Sequence, residues 1–134
     1  MAEKKLNGTV IVTYRCNARC TMCNRYKAPS RPEEELSLDV IKKLPRMYFT
    51  NITGGEPFIR TDLADIVREL YKKSDRIVIS TNGFFTDRII ALAEEFPQVG
   101  IRISIEVCSR PTMRSAVSRT ASTAATRRSR SSWK

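Results

Sequence analysis

The sequence predicts an α/β fold with a parallel sheet. Residues 9–106 alternate short β-branched runs with amphipathic helical stretches, the pattern of consecutive βα units. In sheets of that kind ligands bind beyond the carboxyl ends of the strands, and every chemically distinctive segment of this chain directly follows a strand-like run. The strands are assigned from apolar runs alone, so the second agreement is independent of the first.

The elements follow in order. Residues 9–13, TVIVT, are β-branched throughout and predict a short buried strand. Residues 24–36 are polar, with two prolines and three consecutive glutamates, and predict a loop. Ser37 is an N-cap candidate for a short helix over LDVIKKLPRM, with Leu38, Ile41 and Leu44 inward and Pro45 ending it. Residues 47–53, MYFTNIT, predict a second strand that runs into Gly54-Gly55-Glu56-Pro57. Thr61 is the predicted cap of a helix over 62–73, whose Leu63, Ile66, Val67, Leu70 and Tyr71 share one face. Residues 76–80, RIVIS, form the third predicted strand and end in Thr81-Asn82-Gly83. Thr86 is the predicted cap of a third helix, with Ile89, Ile90 and Ala93 inward, and residues 101–106, IRISIE, make the fourth strand.

After Glu106 the composition changes. Residues 107–134 hold seven basic side chains and no acidic one, are rich in Ser, Arg, Thr and Ala, and show neither helical nor alternating periodicity. Such a segment has little to bury and predicts a disordered tail. The chain therefore divides into residues 1–106, the folded part, and residues 107–134, a basic low-complexity tail.

The net charge of +10 belongs largely to that tail, because residues 1–106 hold 17 Lys+Arg against 14 Asp+Glu. The near-balance of the main body argues against nucleic-acid binding outside the tail. Length allows at most one ordinary domain, and a 41% hydrophobic content supplies a core. No apolar run reaches the roughly 18 residues that cross a membrane. The N-terminal MAEKKLNGTVIV lacks the apolar stretch and cleavage site of a secretory signal. A cytoplasmic, reducing location suits clustered thiols better than a disulfide framework. Histidine is absent, which removes the central member of Ser–His and Cys–His hydrolytic mechanisms.

Cys16, Cys20 and Cys23 form a C-x3-C-x2-C triplet on the predicted exit of the first strand. Three thiolates this close can share one [4Fe–4S] cluster, and its fourth iron would then lack a protein ligand and be open to a small molecule. The competing reading is zinc, which requires a fourth ligand. Cys108 is the only spare cysteine and stands at the tail boundary.

The triplet after the first strand and GGEP after the second together resemble the radical S-adenosylmethionine (radical SAM) superfamily, over roughly residues 7–106. The phrase GGEPFIRTDL is most similar to the branch holding the molybdenum-cofactor cyclase and the peptide-modifying enzymes. The resemblance implies a partial (βα) barrel, incomplete here, since the family core has six βα units and four strands are predicted. It implies that Cys16, Cys20 and Cys23 hold a [4Fe–4S] cluster whose open iron chelates S-adenosylmethionine, and that reductive cleavage gives a 5′-deoxyadenosyl radical. The electron would come from a one-electron reductant such as flavodoxin or ferredoxin.

By the same resemblance Gly54, Gly55 and Glu56 line the methionine end of S-adenosylmethionine. Ser80, Asn82 and Ser104 are polar contacts to its ribose or carboxylate. Met22 stands where the family has an aromatic against the adenine, and its polarizable thioether can pack on a ring. Plainer readings stand beside these. Thr81-Asn82-Gly83 makes a turn, Ser80 and Ser104 are strand-end residues, and Arg15, Arg19, Arg25 and Lys27 form a solvated basic face or one that favours an anionic cluster or partner. The alternative function is a non-catalytic iron–sulfur or RNA-binding protein that uses the basic tail.

The tail has a second reading. Family members continue from ISIE into a glycine and an amphipathic helix. Residues 107 onward, back-translated with GC-rich codons and read from the third nucleotide, give LLAANDALRGIKDGFDRGYETL, a helix of the expected kind. Residues 107–134 are on this reading an out-of-frame translation followed by a premature stop. Genomic sequencing tests it: a frame-changing indel near codon 107 is expected, and an intact frame there contradicts it.

Overall fold

A computed structural model describes residues 5–105; the tail and Cys108 lie outside them. Four strands, β1 (Asn7–Thr13), β2 (Met47–Gly54), β3 (Ser74–Thr81) and β4 (Gly100–Ile103), form one sheet in sequence order, and every neighbouring pair is parallel. Three helices connect them: α1 (Leu38–Lys42), α2 (Leu63–Tyr71) and α3 (Thr86–Glu95). The α/β class and the parallel, singly wound order agree with the sequence reading.

Period-two alternation sets the core. Val10 and Val12 of β1, Ile52 of β2 and Ile77 and Ile79 of β3 are buried on one face. They join a single cluster with Ile41 of α1, with Leu63, Ile66, Val67 and Leu70 of α2, and with Leu92 of α3. All three helices therefore lie on that face, the layering a barrel wall requires. The other face carries Thr9, Ile11, Asn51, Thr53 and Ser80, which are exposed or half-buried. Thr50 is a polar residue within the core, and its hydroxyl is paired with that of the buried Ser74 at 2.6 Å.

Element ends differ from the sequence reading in ways that have local causes. β1 and β3 each begin two residues earlier than predicted, because residues 7–8 and 74–75 extend the parallel ladder although they are polar or glycine. Ser37 caps α1 as expected, accepting from the Val40 N–H. The α2 cap is Asp62 and not Thr61, and the Asp62 carboxylate is held by Arg60 instead of by the helix N-terminus. Thr86 opens α3 as its first residue, and its hydroxyl donates to the Gly83 carbonyl. In α3 the buried side chain is Leu92, which the sequence reading did not name, while Ile89 packs only partly against the core. The polar stretch 24–36 contains two short 3-10 turns, at Arg25–Lys27 and Pro32–Glu34.

Candidate metal centre

The loop leaving β1 carries the three cysteines, Cys16 and Cys20 partly buried and Cys23 exposed. The Cys20 carbonyl accepts from the N–H groups of Cys23 and Asn24 at 3.3 and 3.4 Å, which curls the loop between the second and third thiols. Burial pushes the Cys16 thiol above its ordinary range, opposed by the Ala18 N–H that points at its sulfur from 3.4 Å. Loading a metal there must displace a proton.

Among the described residues no three Cys, Asp or Glu side chains are gathered to share one metal ion. A cubane joins each thiolate to a different iron, so its ligands stand farther apart than those of a single tetrahedral ion. Three thiols on one curled eight-residue loop leaving the first strand suit the cluster as an all-sulfur donor set.

The GGEP segment is built against this loop. The Gly55 N–H donates to the Thr13 carbonyl and the Glu56 N–H to the Arg15 carbonyl, both at 2.8 Å. The chains are so close that a Cβ on Gly55 would stand 2.1 Å from the Arg15 carbonyl oxygen and 3.0 Å from the Cys16 Cβ. One on Gly54 would stand 2.1 Å from the Thr13 oxygen. These glycines are required by backbone approach. Gly55→Ala is expected to cost about 1–3 kcal/mol by overpacking and to displace the entry to Cys16. A thermal melt together with anaerobic iron uptake checks it; a wild-type melt and full iron loading would contradict this packing.

Glu56 is fully buried. One carboxylate oxygen accepts from the Phe58 N–H at 3.1 Å and the Thr81 hydroxyl at 2.8 Å, the other from the Asn82 N–H at 2.7 Å. Burial pushes its pKa up, against these three hydrogen bonds. The Thr81 hydroxyl in turn accepts from the Gly83 N–H at 3.1 Å, in a turn where Gly83 has a φ of 82°. The Asn82 side-chain amide donates to Asn17 on the cysteine loop at 2.8 Å. Three strand exits, those of β1, β2 and β3, are thus tied into one surface.

The other sequence candidates are placed as follows. Ser80 donates to the Asn51 side chain at 3.1 Å on the sheet face away from the helices. Ser104 is exposed just beyond β4, its N–H bonded to the Thr81 carbonyl at 2.9 Å. Met22 is 77% exposed on the cysteine loop. Arg25 stacks over the Tyr14 ring at 4.4 Å, and Arg19 and Lys27 flank Tyr26 at about 6 Å.

Sequence reasoning missed a charged group beside the loop. Arg60 is 7% exposed and donates to the carbonyls of Val12 and Leu36 and, as a fork, to Asp62. Arg88 of α3 donates to the carbonyls of Phe58 and Arg60, fixing the turn after GGEP. Arg15, taken from sequence as part of a basic face, is a fork on Glu35 at 2.8 and 2.9 Å. Burial raises the Glu35 carboxyl, but the hydrogen bonds from Arg15, Thr13 and Ser30 outweigh it and hold it below the usual range; Arg60 does the same for Asp62. The stability these two contribute is present above the ordinary carboxylate range and is lost as pH falls through their lowered values. A signal existed in the spacing of GGEPFIRTD, but nothing in the run of three glutamates marks which one turns inward.

In this parallel βα sheet the tricysteine loop after the first strand and the glycine-bound turn after the second both stand at the strand carboxyl ends, where such sheets bind ligands. The family model of the radical SAM superfamily matches residues 10–128, and the chain belongs to that superfamily. Among its relatives are a probable GTP 3′,8-cyclase of Archaeoglobus fulgidus, 33% identical over 75% of this chain and 35% of that protein, and a GTP 3′,8-cyclase of Haemophilus ducreyi, 32% identical over 71% of this chain and 31% of that protein. The chain spans about a third of the length of the curated relatives it matches. The family uses [4Fe–4S] clusters and S-adenosylmethionine. No helix among the described residues is long and apolar enough to cross a membrane.

Proposed function

We propose that this chain is the N-terminal part of a radical SAM enzyme core in which Cys16, Cys20 and Cys23 hold a [4Fe–4S] cluster and the open iron takes S-adenosylmethionine. The observation that carries the reading is the joining of the cysteine loop to the GGEP turn through Gly55 and Glu56. When bound and reduced, the cluster would supply the electron that cleaves S-adenosylmethionine to methionine and a 5′-deoxyadenosyl radical.

The chain's own residues do the rest. Gly54 and Gly55 let bare backbone pack directly against the segment that leads into the first cysteine. Glu56 fixes that backbone from behind through its carboxylate. Asn82, Ser80 and Ser104 supply polar groups along the strand ends for the ribose and carboxylate, and Met22 supplies an apolar contact for the adenine. Arg19, Arg25 and Lys27 give an acidic one-electron donor, of the flavodoxin or ferredoxin kind, a basic face beside the thiols. A cytoplasmic, reducing setting keeps those thiols competent.

The test is anaerobic reconstitution with iron and sulfide, reduction, and addition of S-adenosylmethionine. About four irons per chain and release of methionine with 5′-deoxyadenosine are expected. A loaded chain that leaves S-adenosylmethionine intact contradicts catalysis by this chain. GTP is the first substrate to offer, on the names of the relatives.

A further inference from the structure

We propose that Glu35 is a positioning residue for the cluster loop: its carboxylate orients two hydroxyls that hold the backbone immediately before Cys16. The inference rests on the cluster reading above.

The geometry is a relay. The Glu35 side chain is 4% exposed, although it ends a run of glutamates in a polar loop. One of its oxygens accepts from the hydroxyls of Thr13 and Ser30, the latter at 2.9 Å. A hydroxyl has one proton to donate, and each of these is spent on Glu35. Their lone pairs are then aimed at the main chain: Thr13 Oγ1 accepts from the Arg15 N–H at 3.0 Å, and Ser30 Oγ accepts from the Tyr14 N–H at 2.9 Å. Tyr14 and Arg15 are the two residues between the end of β1 and Cys16. The Arg15 side chain closes the ring by forking onto the same carboxylate.

Charge explains why the carboxylate tolerates burial. Arg60 approaches Glu35 to 4.0 Å and is itself paired with Asp62, so two arginines meet two carboxylates. A buried carboxylate with four hydrogen bonds is stable in one geometry and costly in any other. That fixes where the strand ends and where the first thiol begins. Groups behind a metal ligand that fix its orientation typically matter ten- to a hundred-fold for metal retention. None of these side chains is itself a sulfur or nitrogen ligand, which makes the role one of positioning.

Glu35→Gln keeps the shape but puts an NH2 group against donors. The experiment compares anaerobically reconstituted wild type, Glu35→Gln, Glu35→Asp and a distant core control, Leu92→Ala, for the rate of iron release to excess chelator and for Tm. Glu35→Gln is expected to release iron about ten- to a hundred-fold faster and Glu35→Asp to fall between it and wild type. Leu92→Ala is expected to lower Tm without changing the release rate. Release from Glu35→Gln at the wild-type rate overturns the inference while leaving the cluster reading intact, and so does equal acceleration by Leu92→Ala. A wild-type chain that takes up no iron overturns the cluster reading and this inference with it. Should Glu35→Gln fail to fold, Ser30→Ala removes only the relay to Tyr14; faster release is expected, and wild-type release overturns the proposal.

Discussion

Cys20→Ala, reconstituted anaerobically, is expected to lack the brown chromophore of the wild-type chain and to fall from about four irons per chain to almost none. The reason is the ligand count. The loop carries only three thiolates, the sequence has no histidine, and among the described residues no acidic group joins the cysteines to replace a lost ligand. A cluster anchored at two irons is exposed to loss on both free corners. Absorbance and iron content after desalting measure it, and a variant that keeps a full cluster contradicts the ligand assignment. Cys16 and Cys23 are expected to behave alike although their exposure differs, because loss of an iron corner depends on the ligand and not on the burial of the free thiol.

Glu56→Ala should be the most damaging single change outside the cysteines. It strands the N–H groups of Phe58 and Asn82 and the Thr81 hydroxyl in a fully buried place. At about 1 kcal/mol or more for each unpaired donor the cost is about 3 kcal/mol or more, on the order of 15 °C in Tm for a domain of this size. Loss of the latch also frees the turn that positions Asn82 against Asn17, so iron retention should fall with stability. Because burial raises the Glu56 carboxyl, the wild type gives up some stability as pH rises from the ordinary carboxylate range through that raised value, and Glu56→Ala lacks this part of the pH dependence. A variant that melts like wild type but no longer binds S-adenosylmethionine would contradict the latch and favour a direct contact.

The resemblance assigned Glu56 to the methionine end of the ligand, and the packing assigns its carboxylate to the protein. The side chain anchors the backbone of that turn through its three hydrogen bonds. Apolar and β-branched runs made the strands legible, because parallel strands buried beneath helices need such residues wherever they face the core. Helix caps were less legible. Asp62 displaced Thr61 because Arg60 takes the aspartate side chain, a choice made by a partner and not by local propensity. The cysteine triplet and GGEP could be read without a structure, since their chemistry depends on residue type and order. Glu35 and Arg88 could not, because their roles depend on contacts 20 to 30 residues apart in sequence that no local pattern encodes.

The basic residues of the cysteine loop illustrate the same division. Composition made Arg15 and Arg25 equivalent, but Arg15 is locked to a buried carboxylate while Arg25 lies on the exposed Tyr14 ring. Only Arg25, with Arg19 and Lys27, is left to meet a partner.

The central claim is an open iron that takes S-adenosylmethionine. Electron paramagnetic resonance of the reduced, reconstituted chain, recorded before and after adding S-adenosylmethionine, tests it most directly. A [4Fe–4S] signal whose shape changes on addition is expected, because on this proposal the ligand would bind at the iron without a cysteine. An unchanged signal would contradict the claim.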